Sequence, residues 1–345
     1  MVRRWWMGLA ACAVAGCGSG AEDASSSRER ITESPRARVA ELAGETATFE
    51  TVAIEPFAGS PFTNDVVRLR DVPEDVKPDA SGCYCFAETD ARFAYAHTYV
   101  HATRALRSYN ARLAEIGLAP VKDVPISLVK ANAGMPTTGS LGERNGTVFV
   151  EVTTSSPVVD TGVLVHEIGH IIHRKIAGSD AGTSSIPLGI TELAPNLLAA
   201  LELRITRFAE YAWMDAAIDL TRELHCPDRI LRDADLFQSQ IDAPRFAAAF
   251  PVWVGALREE LQTHPEQYQA PDEYSNSALV VGPMLATAPA CGYAALQRVA
   301  LEALHDVRTS GTMGALSQRL VAHARTECPA GADALEERLR ARGVL

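Results

Sequence analysis

Positive charge is scarce in this 345-residue chain: 32 Lys and Arg stand against 43 Asp and Glu, a net charge of −11. That balance excludes nucleic acid as a partner, because gripping phosphates takes a positive surface and this field repels them. Aromatic residues are also few, at 6%, yet hydrophobic residues still make up 47%. The chain is therefore not short of core material, which excludes the disordered and collagenous classes. Seven cysteines are too few for a disulfide-knot scaffold of this length. After the first 20 positions no run of about 18 apolar residues occurs, which excludes an internal membrane-spanning helix. What remains is a globular protein of one or two domains.

The first 17 residues read as an address. Arg3 and Arg4 precede an uncharged stretch from Trp5 to Gly16. A charged segment before a short apolar one is the secretory pattern, and the apolar part is too short to span a bilayer stably. Val14-Ala15-Gly16-Cys17 resembles the lipobox of bacterial lipoproteins. The resemblance implies cleavage before Cys17 and a lipid on Cys17 that anchors the chain to the bacterial membrane. Gly18 and Ser19 follow, with no aspartate to signal inner-membrane retention, so an outer-membrane lipoprotein of the cell envelope is expected. Loss of Arg3 and Arg4 with the leader deepens the net negative charge by two. Outside the cytoplasm cysteines tend to pair. Cys83 and Cys85 stand too close for a relaxed mutual bridge, so each is expected to join a distant cysteine. Because Cys83, Cys85, Cys226, Cys291 and Cys328 are odd in number, one is left as a thiol.

Residues 18–45 are rich in Ser, Ala and charge without a hydrophobic period and read as a flexible tether. From Thr46 the texture changes. FETVAIEPF, DVVRLRDV, PISLV and GTVFVEV carry β-branched residues in near-alternation and predict strands, while residues 88–116 predict one long helix ending before Gly117. From about residue 161 the pattern is almost wholly helical. Strands first and helices after predict an α+β domain over 46–345, with a mixed-sheet lobe at about 46–175 and a helical lobe at about 176–345.

The helical segment TGVLVHEIGHIIHRK contains His166-Glu167-Ile168-Gly169-His170. Residues four apart share a helix face, so the two imidazoles can grip one zinc ion while Glu167 flanks an open coordination position as a general base. Leu164, Ile168, Ile171 and Ile172 lie at i, i+4, i+7 and i+8 and would bury the opposite face. By composition, a chance match to this pattern somewhere in the chain has a frequency of about one or two per cent. A third ligand must come from elsewhere. Continuation of the histidine type needs Gly at position 173 and His at 176, where this chain has His173 and Ile176. A carboxylate on a following helix is the other solution. Glu192 opens one such segment, where Thr191 can cap it; Glu210 and Glu202 are its rivals.

At these residues the chain resembles the thermolysin-like, or gluzincin, zinc metallopeptidases. Ile190-Thr191-Glu192-Leu193-Ala194-Pro195-Asn196 follows their ligand-helix pattern I-N-E-x-x-x-D, with Thr for Asn and Asn for Asp. The resemblance implies that Asn196 takes the hydrogen bond with which the family's aspartate orients a ligand imidazole. Tyr274-Ser275-Asn276-Ser277-Ala278-Leu279 matches a stretch H-x-N-S-G-I whose histidine donates to the oxyanion; here that donor is Tyr274. The likeness covers roughly residues 90–325. It implies a zincin-type fold, one Zn2+ per chain on His166, His170 and Glu192, and hydrolysis of a peptide or protein substrate. GTVFVEV, read as an edge strand, would hold that substrate as an added strand.

Other histidines have plainer readings. His97 and His101 share a helix face rich in Ala, Tyr and Val and are expected to be structural. His173, one turn beyond His170, is expected either behind the metal ligands or beside the cleft. His225, His264, His305 and His323 follow helix ends or charged faces and are expected at the surface.

Overall fold

Among the described residues, seven short strands and one long helix precede the helix that carries the two histidines. The computed structural model describes residues 35–43, 46–130, 138–144, 147–154, 159–178, 190, 192–205, 207–210, 217–219, 277–308 and 313–345. Within them β1 (Arg36–Ala43) pairs antiparallel with β2 (Thr46–Ala53) and parallel with β4 (Cys83–Tyr84). A second sheet has the order β3-β5-β7-β6, built from β3 (Val67–Leu69), β5 (Val124–Lys130), β6 (Thr138–Arg144) and β7 (Thr147–Thr154). Only β6 runs antiparallel in it. Both sheets are therefore mixed, and the fold is mixed α/β. Helices α1 (Phe93–Glu115) and α2 (Thr161–Ala177) precede α3 (Leu193–Leu203). A hairpin follows, β8 (Arg207–Glu210) and β9 (Ala217–Asp219), and then α4 (Ala278–Cys291), α5 (Tyr293–Asp306), α6 (Met313–Glu327) and α7 (Pro329–Ala341).

Four sequence readings are corrected here. The tether cannot extend to residue 45, because β1 occupies 36–43; Ala37, Val39 and Ala40 are buried, and alanines at inward positions hide the alternation. GTVFVEV is no edge: β7 has β5 on one side and β6 on the other, so β6 is the border strand. The almost wholly helical reading after residue 161 fails over Arg207–Glu210, which is strand; Arg204 at φ +57 ends α3 just before it, donating its backbone N–H to Ala200. Finally Cys83 and Cys85 are bridged to each other, with Cα atoms 5.1 Å apart. Cys85 lies just beyond β4, and the 5.1 Å separation is shorter than the roughly 6.6–6.8 Å of two extended residues, so the chain bends there and brings the sulfurs together. Cys291 and Cys328 form a second bridge between α4 and the start of α7. Cys226 lies outside the described residues.

Helix α1 forms within the expected span 88–116 but starts only at Phe93. Its stretch lacks Gly and Pro, and it ends in a Schellman arrangement: Gly117 at φ +77 donates to Ala114 O and Leu118 N donates to Leu113 O. Its Tyr99, Leu106, Tyr109 and Leu113 are fully buried. An aromatic cluster packs against it: Phe57, Phe62, Tyr84 and Tyr99 meet in tilted and edge-to-face pairs with centroids 4.8–5.6 Å apart. His97 and His101 are structural. The Ala40 N–H donates to Nδ1 of His97 at 3.3 Å, and Nε2 of the same ring donates to Val159 O at 3.0 Å. Nε2 of His101 donates to Ala40 O at 2.9 Å. The pair thereby staples β1 to α1 and to the residue leading into α2.

Helix α2 is the axle of the molecule, packed against α1, α3 and α5 and against β6 and β7. Asp160 caps it by accepting from Val163 N at 3.0 Å, and Gly178 at φ +67 terminates it. Leu164, Ile168 and Ile172 are fully buried as the periodicity requires, while Ile171 is only partly so. The charged tail helix α7 is amphipathic, with Ala332, Leu335 and Leu339 in the core.

Candidate metal centre

His166 and His170 stand one turn apart on α2, and their Nε2 atoms face each other at 3.1 Å. Glu192, immediately before α3, closes the third side. Its Oε2 lies 3.1 Å from Nε2 of His166 and 3.4 Å from Nε2 of His170. These donor atoms all lie within 4.8 Å of one another, and the three residues form a group that could hold a metal ion.

Asn196 decides which nitrogen of His166 carries the proton. Its Nδ2 donates to Ser277 Oγ at 2.9 Å, which turns its Oδ1 toward Nδ1 of His166, 2.8 Å away. An amide oxygen only accepts, so the imidazole proton sits on Nδ1 and Nε2 presents a lone pair inward. Glu192 Oε2 has no hydrogen-bond partner among the described residues despite its short approaches. Two imidazole nitrogens and a carboxylate oxygen converging this closely also match the donor set of a divalent cation. Burial opposes ionisation of Glu192, but the neighbouring His170 and His166 outweigh it and hold the carboxyl well below the usual carboxylate range.

Helix α3 reaches this position because a side chain is missing. A Cβ on Gly169 would lie 2.8 Å from Pro195 Cα and 3.1 Å from Pro195 Cβ. Pro195 is the third residue of α3, where a backbone donor has no intrahelical partner, so the proline is tolerated. The close crossing carries Glu192 and Asn196 onto the face of α2 that bears the two histidines.

Glu167 is buried beside the donor set without belonging to it. Burial raises its carboxyl above the ordinary value, and His166 and His170 pull it back. A carboxyl whose protonated form is favoured in this way is suited to both accepting and releasing a proton. On its other side runs β6, whose Gly139 comes so close that an added Cβ would collide with the Glu167 side chain.

The rivals for the third ligand separate clearly. Glu202 accepts hydrogen bonds from Ser108 Oγ and Gln297 Nε2, both at 2.7 Å, and ties α1, α3 and α5 together away from the centre. Glu210 falls in β8, and its side chain lies outside the described residues, as do Thr191, Tyr274, Cys17, His225 and His264. His173 is fully buried rather than lining a cleft; neither ring nitrogen has a hydrogen-bond partner among the described residues, and burial pushes its pKa down to about 4. His323 joins Glu302 and Asp306 on the outer side of α6 at 3.0 Å each. The roles of Ser277, Gly139 and Gly169 were not legible from the sequence, since each depends on what the other segment brings. No protein-family model matches the chain, and no curated protein does.

Proposed function

We propose that this protein is a zinc metallopeptidase of the bacterial cell envelope, anchored by a lipid on Cys17. The observation that carries the reading is the inward-facing triad of His166, His170 and Glu192 with Glu167 buried beside it. A purely structural zinc site has no use for an adjacent carboxyl with a raised pKa, and it closes with a fourth protein ligand. The three donors suit zinc in number and type: two imidazoles and one carboxylate, with the His166 tautomer fixed by Asn196.

Zinc, when bound, supplies Lewis acidity toward a water and a carbonyl oxygen. The protein's own groups do the rest. Glu167 takes a proton from the attacking water and delivers it to the leaving amine. Tyr274 is proposed to donate to the oxyanion through its phenol. The border strand β6 passes Glu167 and has no further strand beside it among the described residues, so it can accept an extended peptide along its outer edge.

The rival is a zinc-binding but catalytically silent surface lipoprotein, favoured by Asn196 standing where the resembled family has a charged residue. One experiment separates the two. Purified protein is assayed for metal content and for chelator-sensitive cleavage of an unfolded protein substrate. Stoichiometric zinc with cleavage that chelation abolishes supports the peptidase; zinc with no cleavage across a broad peptide library leaves the silent lipoprotein.

A further inference from the structure

Strand β6 contains two glycines, and they have different work. Gly142 pairs directly with Phe149 of β7, and the Phe149 ring lies across the space its side chain would fill. That ring in turn carries the Arg70 guanidinium at 5.2 Å, so the border strand is pinned in register from one face. Gly139 is an odd number of residues away and faces the other side. There, an added Cβ would lie 2.5 Å from Glu167 Oε1 and 2.7 Å from Cδ, and would collide with Cγ. Its φ is not in the left-handed region, so an alanine would meet no backbone strain; what the position cannot accept is volume.

The collision is at the root of the Glu167 side chain, not only at its tip. Cγ is bonded to a Cβ on a buried stretch of helix, so it can escape only by rotation about χ1. That rotation swings the carboxyl off the face shared with His166 and His170. We propose that Gly139 is the positioning residue for Glu167: the bare backbone of the border strand forms the wall that sets where the carboxyl stands, independently of the metal ligands. The proposal rests on the peptidase reading for its functional meaning, but the contact itself does not.

The test uses the full chain loaded with zinc. Gly139→Ala is made alone and combined with Glu167→Gln and with Glu167→Ala. Glutamine keeps the whole stem and alanine removes everything beyond Cβ. The expected result is that Gly139→Ala lowers Tm by at least about 2 °C in the wild-type and Glu167→Gln backgrounds and leaves it nearly unchanged in the Glu167→Ala background. Zinc content should stay stoichiometric, and kcat should fall at least about tenfold with KM within about twofold, as for a displaced reacting group. If Gly139→Ala alone does not fold, its rescue by Glu167→Ala carries the same information. An equal Tm loss in all backgrounds, a double variant that also fails to fold, or wild-type kcat in Gly139→Ala overturns the proposal. Should the wild type cleave nothing, the peptidase reading falls while the Tm comparison still decides the contact.

Discussion

Nδ1 of His166 donates to Oδ1 of Asn196 at 2.8 Å, and the same amide donates onward to Ser277. This relay links α2, α3 and the start of α4 and fixes the tautomer of one imidazole of the candidate metal site. Its removal should be felt in affinity rather than in fold. Asn196→Leu is expected to weaken zinc about 10–100-fold, measured by competition with a fluorescent chelator, whereas Asn196→Asp keeps the acceptor and should hold zinc at least as tightly. Unchanged affinity in Asn196→Leu would show that His166 needs no orienting partner.

The ligand set gives a second expectation. His166→Ala, His170→Ala and Glu192→Ala should each lose stoichiometric zinc, by elemental analysis of the purified proteins. Glu202→Ala should retain it, because Glu202 is committed to Ser108 and Gln297. Retention in Glu192→Ala together with loss in Glu210→Ala would transfer the third ligand to β8.

Base and metal should come apart in Glu167→Gln. Zinc occupancy and Tm are expected to stay near those of the wild type, while kcat drops at least about 100-fold, the lower end for removing a positioned general base. Tyr274→Phe should cost about 2.7–4 kcal/mol of transition-state stabilisation at most if the phenol donates to the oxyanion. Full turnover in Glu167→Gln would remove the proposed mechanism.

Acid should destabilise the fold through His97 and His101. Burial first, and then each ring's charged neighbours, push their pKa values down from 6.5 to about 3 and about 4. Between pH 6.5 and those values the unfolded chain binds protons that the folded one refuses, so stability is complete above 6.5 and falls as pH drops below it. Each histidine contributes a slope of up to about 1.4 kcal/mol per pH unit inside that window. Denaturant unfolding of the chelator-treated protein at a series of pH values measures it, and His101→Gln should flatten the curve. Equal stability at about pH 7 and about pH 5 would mean that the staple tolerates charge.

Anchoring is checked by fractionation. Cys17→Ser should release the protein from membranes or leave the precursor uncut; normal processing with unchanged membrane partition would contradict a lipid on Cys17.

The sequence by itself determined what local periodicity and chemistry determine. The i, i+4 histidines on an apolar-backed helix placed α2 and its two candidate ligands, and the Gly-free run ending at Gly117 placed α1. Glu192, weighed there against Glu202 and Glu210, and the orienting role of Asn196 came from the resemblance of residues 190–196 to the pattern I-N-E-x-x-x-D. Tertiary structure decided everything that depends on which segments meet. Alanines facing inward concealed β1 until a helix covered them. The border of the second sheet is β6 and not β7, because strand order is a property of the sheet and not of any one strand's composition. Cys83 and Cys85 pair because the chain bends just beyond β4. Most of all, Gly139 and Gly169 look alike in the sequence to any other glycine. Their meaning is the absence of a side chain at a contact between elements that lie far apart along the chain, and such an absence acquires a function only when packing supplies the opposing Glu167 and Pro195.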